Sequence, residues 1–216
     1  MADLTSDELL KQYAEGTRDF RLADFSGMNL GGADLRYADF TGADLTNINL
    51  SDAELRETTL NAVVMAKANL QRADLQRAML NAASLDHADL THASLYEAHL
   101  AIADLVESKL NAADLCRADL NGANLTKASL QGAQIIESNL AEAIFIEANL
   151  SHANLSHADL SHINLNMAHL LGTDLHDVDL SKGDLVMANF SKANLRRANL
   201  TDANLRFAIL AGADLT

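Results

Sequence analysis

The chain of 216 residues has no proline, no tryptophan and a single cysteine, Cys116. One cysteine excludes an intrachain disulfide, and without proline or any Gly- or Ser-rich stretch there is no linker signal, so the length reads as one domain. No segment approaches the run of about eighteen apolar residues that a membrane span needs, and the N-terminus lacks the basic and apolar regions of a signal peptide. The expectation is a cytoplasmic protein with no membrane association. Basic residues are also scarce: sixteen Lys and Arg stand against thirty Asp and Glu, a net charge of −14. Direct nucleic-acid binding rests on basic stripes, so none is expected. No Gly-rich phosphate loop is present, and no cofactor is implied. A reactive thiol needs a depressed pKa, for which Arg117 beside Cys116 is a weak argument, so the thiol reads as a spectator.

What the chain does have is a beat of five. Every fifth residue from Phe20 to Leu215 is large and apolar, forty positions holding thirty-three Leu, five Phe (Phe20, Phe25, Phe40, Phe145, Phe190), Met65 and Ile135. Such a period fits neither a 3.6-residue helix nor two-residue strand alternation. Two residues before each large side chain, from 23 to 213, stands a small one, Ala in twenty-nine of thirty-nine cases. One large and one small inward residue per five, repeated layer after layer, can fill a cross-section of fixed shape at interior packing density. The residue between them is usually Asp or Asn, as in Ala33-Asp34-Leu35 and Ala153-Asn154-Leu155.

A motif A-(D/N)-L-x-x repeated in this way resembles the pentapeptide repeat family, over residues 18 to 216. The resemblance implies an all-β solenoid: a right-handed quadrilateral β-helix with four pentads per coil, Leu and Ala pointing inward. About ten coils at the strand spacing of about 4.8 Å would make a rod of roughly 45 Å. No coil can bury its apolar face alone, so stability would come from stacking.

If a coil takes twenty residues, side chains twenty apart stack on one face. One such column reads Glu57, Arg77, Glu97, Arg117, Glu137, His157, Asp177, Arg197, with charges that alternate almost throughout. A second gives Glu107, Lys127, Glu147 and a third Glu142, His162, Lys182, Asp202. Opposite charges across adjacent strands contribute about 0.2–1 kcal/mol each. A fifteen-residue step shows no such order.

Residues 1–17 stand outside the repeat and are expected to form a helical cap. Thr5 and Glu8 have capping-box spacing, Leu9, Leu10, Tyr13 and Ala14 make one apolar face, and Gly16 is placed to end the helix. A β-helix needs a lid over the bare side chains and unpaired backbone of its first coil. At the other end, the last coil would expose Leu200, Leu205, Leu210 and Leu215. Nearby the outward columns turn apolar: Met167, Met187 and Phe207 lie twenty apart beside Ile146 and Val186, with Ile209 close by. A contiguous exposed apolar strip is expected to be an interface, for a protein partner of unknown identity or for a homodimer formed through the C-terminal coil.

The acidity has a local origin. Sixteen of the thirty acidic residues occupy the Asp/Asn template position, which also carries Lys109; elsewhere the balance is +1. The columns Asp34, Glu54, Asp74 and Asp114 would still give a negative field able to steer a basic partner. Some family members imitate DNA charge and bind type II topoisomerases such as gyrase; some quinolone-protection proteins engage gyrase with loops that this unbroken repeat lacks, while other topoisomerase-binding relatives are loop-free. The segment Leu9 to Gly16 followed by Arg18-Asp19-Phe20 is instead similar to the opening of cyanobacterial members.

Ser151, His152, Ser156, His157, Asp159, Ser161 and His162 superficially suggest a nucleophile, base and acid. A five-residue step carries each imidazole to another side of the coil, so these residues diverge, which argues against a catalytic triad and against a three-histidine zinc site. His87 and His92 fail as metal ligands for the same reason. The expectation is therefore a non-enzymatic rod, with no catalytic or metal residues, that presents a rigid face to another protein. Its rivals are a DNA-mimicking topoisomerase binder and a structural rod with no dedicated partner.

Overall fold

The computed structural model describes residues 4–216; of the cap segment 1–17, the first three residues lie outside that range. The chain opens with one helix, α1 (Ser6–Ala14). Thr5 caps it as its spacing predicts: its hydroxyl accepts from the Glu8 N–H, and the Glu8 carboxylate accepts from the Thr5 N–H at 2.8 Å. The helix ends in a Schellman motif around Gly16 (φ +102°), where the Gly16 and Thr17 N–H groups donate to the carbonyls of Tyr13 and Gln12, each at 3.0 Å. Leu9 is fully buried in the hydrophobic core, and Leu4, Leu10 and Tyr13 pack against it. The Tyr13 hydroxyl donates to the Arg36 carbonyl at 2.9 Å, while the Arg18 guanidinium lies 3.8 Å over its ring. These contacts tie the helix to the first coil of the repeat.

From residue 19 onward every template residue forms a parallel bridge to the residue twenty positions later, from Asp19↔Asp39 to Asn194↔Asp214. The coil therefore closes after four pentads. Among the described residues the pairing consists of isolated bridges, with no continuous strand, because each side of the coil contributes one bridged residue before the chain turns. The interior is one stack: the large residues from Phe20 to Leu195 are buried, and so are nearly all the small ones between Ala38 and Ala193. Near the N-terminal end the stack is aromatic, with Phe20 and Phe40 stacked at 5.3 Å and Phe25 edge-on to both.

Departures from Ala at the small inward position are compensated locally. The buried hydroxyls of Thr58 and Ser108 donate to the carbonyls three residues back, and those of Ser138 and Thr173 to Leu115 and Leu150 of the preceding coil, all within 2.8 Å. Each thereby avoids the cost of a buried unpaired polar group. Gly183 follows the larger Ile163 by one coil; a Cβ there would stand 3.4 Å from the Ile163 Cγ2 and 3.1 Å from the Leu180 carbonyl.

The backbone hydrogen bonds explain the template residue. Around Leu30, the N–H groups of Leu30 and Gly32 donate to Asn49 and Ser51 of the next coil, that of Ala33 closes the turn onto Leu30, and that of Asp39 reaches back to Arg18. The first turn residue has no backbone acceptor. Its N–H donates instead to the carboxylate or amide oxygen two residues earlier, as in Ser26 to Asp24 (2.9 Å), Thr41 to Asp39 (2.9 Å), Thr126 to Asn124 (3.2 Å) and Ser161 to Asp159 (2.9 Å). This Asx turn is what Asp and Asn share and Glu or Gln would reach poorly. Where the template residue is Met79, His99 or Ser129, an Asn one coil earlier supplies the acceptor: Asn61 for Asn81, Asn81 for Ala101 and Asn111 for Gln131.

Candidate interaction surface

Nearly every side of the coil ends in a turn closed by a hydrogen bond from the N–H of the small inward residue to the carbonyl of the large residue three positions earlier, as in Ala33 to Leu30 at 3.1 Å. The second residue of every turn from 22 to 212 has positive φ, as a type II turn requires. Only seven of these thirty-nine corners are glycine. The other thirty-two hold side chains in the left-handed region, including β-branched Ile102 at φ 53°. Non-glycine residues there cost of order 1 kcal/mol or more each, a strain the stacked coils on either side hold in place. The corner side chains project outward, so the four corner columns form exposed edges of the rod.

The column from Tyr37 to Arg197 carries the alternating charges. Arg77 donates to Glu97 at 2.8 Å, Arg117 to Glu137 at 2.9 Å, and Arg197 pairs with Asp177. Arg72 makes a bidentate pair with Asp52 on another corner, at 2.6 and 2.7 Å. Among the described residues, however, Glu142, His162, Lys182 and Asp202 form no ion pair with one another. Their sequence order suggests a ladder that the side-chain geometry does not make. Elsewhere the template acids pair off-axis: Arg21 with Asp19 and Asp39, and Arg36 with Asp34 and Glu54. The guanidiniums of Arg21 and Arg36 hold the Asp19 and Asp34 carboxyls down at about 2, and the Ser26 N–H lowers Asp24.

The corner column beginning at Gly27 changes character along the rod. His87 approaches Glu107 at 3.4 Å and Lys127 approaches Glu147 at 4.0 Å. Then come Met167, Met187 and Phe207, which are 44%, 54% and 73% exposed. Their corners stack directly, since the N–H of Met167 donates to the Val186 carbonyl and that of Met187 to the Arg206 carbonyl, both at 2.9 Å. Ile146 and Val186, one residue before their corners, are half-buried. Ile209 is exposed, but it sits two residues past the Phe207 corner on the following side of the coil, bridged to Asn189. The Arg206 guanidinium lies 5.6 Å from the Phe207 ring centroid, so one margin of the strip is cationic.

Beyond the strip the apolar layer continues into the last coil. Leu200, Leu205 and Leu210 are half-buried and Leu215 is exposed. Among the described residues, the N–H groups of Leu200, Asp202, Leu205, Phe207, Leu210 and Gly212 have no backbone acceptor. Leu10 and Tyr13, by contrast, are packed against the core at the opposite end.

A second uncharged corner escapes the sequence reading. Leu22, Gly42, Ala62, Ala82, Ile102 and Gly122 follow one another twenty apart, with exposed Met79 and Val64 on the sides flanking them. Leu22 and Ile102 lean over Gly42 and Gly122, where a Cβ would stand 2.8 and 3.3 Å from their side-chain carbons. Reading every twentieth residue from Leu22 finds this run, but its small side chains give no hydrophobic peak.

Cys116 is half-buried, and burial together with a hydrogen bond to Asp114 pushes its thiol up to about 11, which makes it a poor nucleophile at neutral pH. His152, His157 and His162 occupy three different corner columns, as the five-residue step requires. The spacing that does bring histidines together is nineteen: the His157 N–H donates to the His176 carbonyl at 3.1 Å, and the two rings meet edge-on at 4.9 Å. No helix among the described residues is long and apolar enough to cross a membrane.

With the twenty-residue ladder established, the family comparison is decisive. The model of the family described as pentapeptide repeats matches in eight copies, over residues 19–52, 68–105, 103–140, 123–161, 143–181, 153–191 and 184–216. The chain belongs to the pentapeptide repeat family. Proteins of this family are generally structural or interaction proteins. Among solved pentapeptide repeat structures, the chain is similar to HetL, described as involved in heterocyst differentiation regulation in the cyanobacterium Nostoc sp. strain PCC 7120. The identity is 32% over 98% of this chain and 97% of HetL, with a TM-score of 0.40. Rfr23 from the cyanobacterium Cyanothece 51142 is 30% identical over 42% of this chain and 63% of its own, with a TM-score of 0.41. QnrB1, a plasmid-mediated fluoroquinolone resistance protein, is 20% identical over 93% of this chain and 90% of its own, with a TM-score of 0.29. Overlaps this loose carry no weight for the fold, which rests on the repeat match and the bridges. No curated protein matches the chain.

Proposed function

We propose that this pentapeptide repeat protein is a non-catalytic, cytoplasmic interaction scaffold: a right-handed, four-sided rod of about ten coils, capped by its first seventeen residues. It presents the Met167–Met187–Phe207 corner to another protein, with Ile209 and the flanking Ile146 and Val186 at its margins. The observation that carries this reading is the run of three stacked corners bearing large exposed apolar side chains, on a column that is charged from His87 to Glu147. Interfaces concentrate apolar and aromatic residues at a centre with a polar rim, and Arg206 beside Phe207 supplies such a rim. A second copy of this chain is the first partner to test, because the strip runs into the apolar layer of Leu200, Leu205, Leu210 and Leu215 and two such faces would be self-complementary.

The test is replacement of Met187 and Phe207 by Lys. Circular dichroism should be unchanged while self-association or partner capture is lost; retention of both would remove the proposal. The rival reading as an acidic DNA mimic needs its carboxylates free for a partner. Many of the template acids instead accept from turn N–H groups, and Asp19, Asp34 and Asp74 also pair with Arg21, Arg36 and Arg56. Salt-sensitive inhibition of gyrase supercoiling at micromolar protein would restore that rival.

A further inference from the structure

We infer that His157, His176 and Asp177 form a binding site for a divalent transition-metal ion of the zinc class, clipping two adjacent coils together. Donor atoms of all three lie within 4.8 Å of one another. The His157 Nδ1 and the His176 Nε2 each stand 3.9 Å from the same Asp177 oxygen, Oδ2. Ligands bound tetrahedrally at about 2.0–2.1 Å stand about 3.3 Å apart, so the set must contract by roughly half an ångström or more. His157 is exposed and can make that movement by side-chain rotation.

The arrangement is preset in a way that chance surface histidines are not. The His176 Nδ1 lies 2.8 Å from the Asp174 Oδ1, the position of a donated hydrogen bond that leaves the Nε2 lone pair free toward Asp177. Asp174 itself accepts from the Asn194 amide at 2.8 Å, which fixes its orientation. A carboxylate behind a ligating imidazole sets the tautomer and raises ligand basicity, and its loss typically costs about 10–100-fold in metal affinity. The backbone supplies the register, because the bond from the His157 N–H to the His176 carbonyl brings a corner residue beside the one nineteen later.

Two histidines and one carboxylate suit borderline ions such as zinc, cobalt or nickel better than calcium or magnesium. The fourth position would open toward solvent. His176 also lines a cleft of about 460 Å³ with Asp174, Asn194, Arg196, Arg197 and Thr216, which neither His157 nor Asp177 lines.

Arg197 is the competitor. Its guanidinium pairs with the Asp177 Oδ2 and is the foremost cause of the lowered Asp177 carboxyl, with smaller contributions from His157 and His176. The Arg197 side chain is 72% exposed, so an incoming ion can displace it without disturbing the core. Removing it should therefore strengthen metal binding, which a nonspecific surface histidine would not show.

Zinc chloride alone, titrated calorimetrically into the full chain at pH 7.5, should bind with one-to-one stoichiometry. His157→Gln and His176→Gln should each weaken binding at least tenfold with unchanged circular dichroism, and Arg197→Ala should tighten it severalfold. His152→Gln, at another corner, should have no effect. Cobalt substitution should give the visible absorption of a four-coordinate site. The inference is overturned if the full chain binds no zinc at micromolar concentrations, if the His157 and His176 variants bind as the unaltered protein does, if His152→Gln weakens binding equally, or if Arg197→Ala fails to tighten it.

Discussion

The corner running from Glu57 to Arg197 and the corner running from Glu107 to Phe207 share one backbone and end as opposite surfaces. Both hold their side chains at φ between 54° and 61°, and short of Phe207 in the last coil both stack by the same N–H to carbonyl bond to the next coil. One keeps alternating charges as far as Asp177 and Arg197; the other abandons them after Glu147 for Met167, Met187 and Phe207. Main-chain bonds, Asx turns and the Leu/Ala interior carry the coil whichever side chain stands at the corner. The corners are thus free to diverge, and a change of character along one column is informative about function in a way that the five-residue beat is not.

The largest effect should come from the interior the two corners share. Leu115 stands two residues before Arg117 and Leu165 two before Met167, and both are buried. Truncating either to Ala should cost about 2–5 kcal/mol in chemical denaturation, with the two penalties alike within the scatter of such substitutions. A large disparity would mean that the corners differ in their foundation as well as in their side chains. At the corner itself the sign should reverse. Met187→Gly relieves a left-handed side chain, and after the extra entropy of glycine is counted it should stabilise the rod by about 0.5–1 kcal/mol while weakening association. Lower stability and intact association would contradict the division between backbone and surface.

Smaller still is the trim on the charged corner. Arg117 stands between half-buried Glu97 and exposed Glu137 and is itself exposed, so Arg117→Ala should cost little stability, a difference that 1 M salt should largely erase. The equivalent experiment on the apolar corner should show no salt dependence. Acid titration separates the template from both corners. Asp19, Asp24 and Asp34 have folded-state pKa values below the ordinary carboxylate value of about 3.9, so their contribution is present above that value. It is lost as pH falls from about 4 toward the folded values of about 2 for Asp19 and Asp34. Thermal melts between pH 5 and pH 2 should show this decline, and Asp24→Asn should lessen it without altering stability at pH 7.

Much of the fold was legible because volume repeats leave a direct trace in sequence. The Phe20 to Leu215 register, the twenty-residue coil and the Thr5–Glu8 cap all follow from spacing and side-chain size. The physical task of the template Asp or Asn was hidden, since the unpaired N–H it satisfies belongs to a turn two residues on. Glycine at seven of the thirty-nine corners marks a permissive φ there, but the thirty-two corners that hold side chains carry no such mark. On the surface, the stacking of Met167, Met187 and Phe207 could be read, but the failure of Glu142, His162, Lys182 and Asp202 to pair depends on rotamers. The approach of His157 to His176 was missed because corner side chains also meet at a step of nineteen, which a search at five and twenty passes over.

The measurement that bears most directly on the interaction surface is a quantitative capture experiment with the full chain as bait. Native lysate is supplemented with a differently tagged second copy, and the bait is run beside its Met187→Lys/Phe207→Lys variant. The account predicts a defined partner, whether the second copy or another protein, that the unaltered bait retains and the double variant loses while its circular dichroism stays the same. Retention of the same partners by both baits, or of none by either, would contradict it.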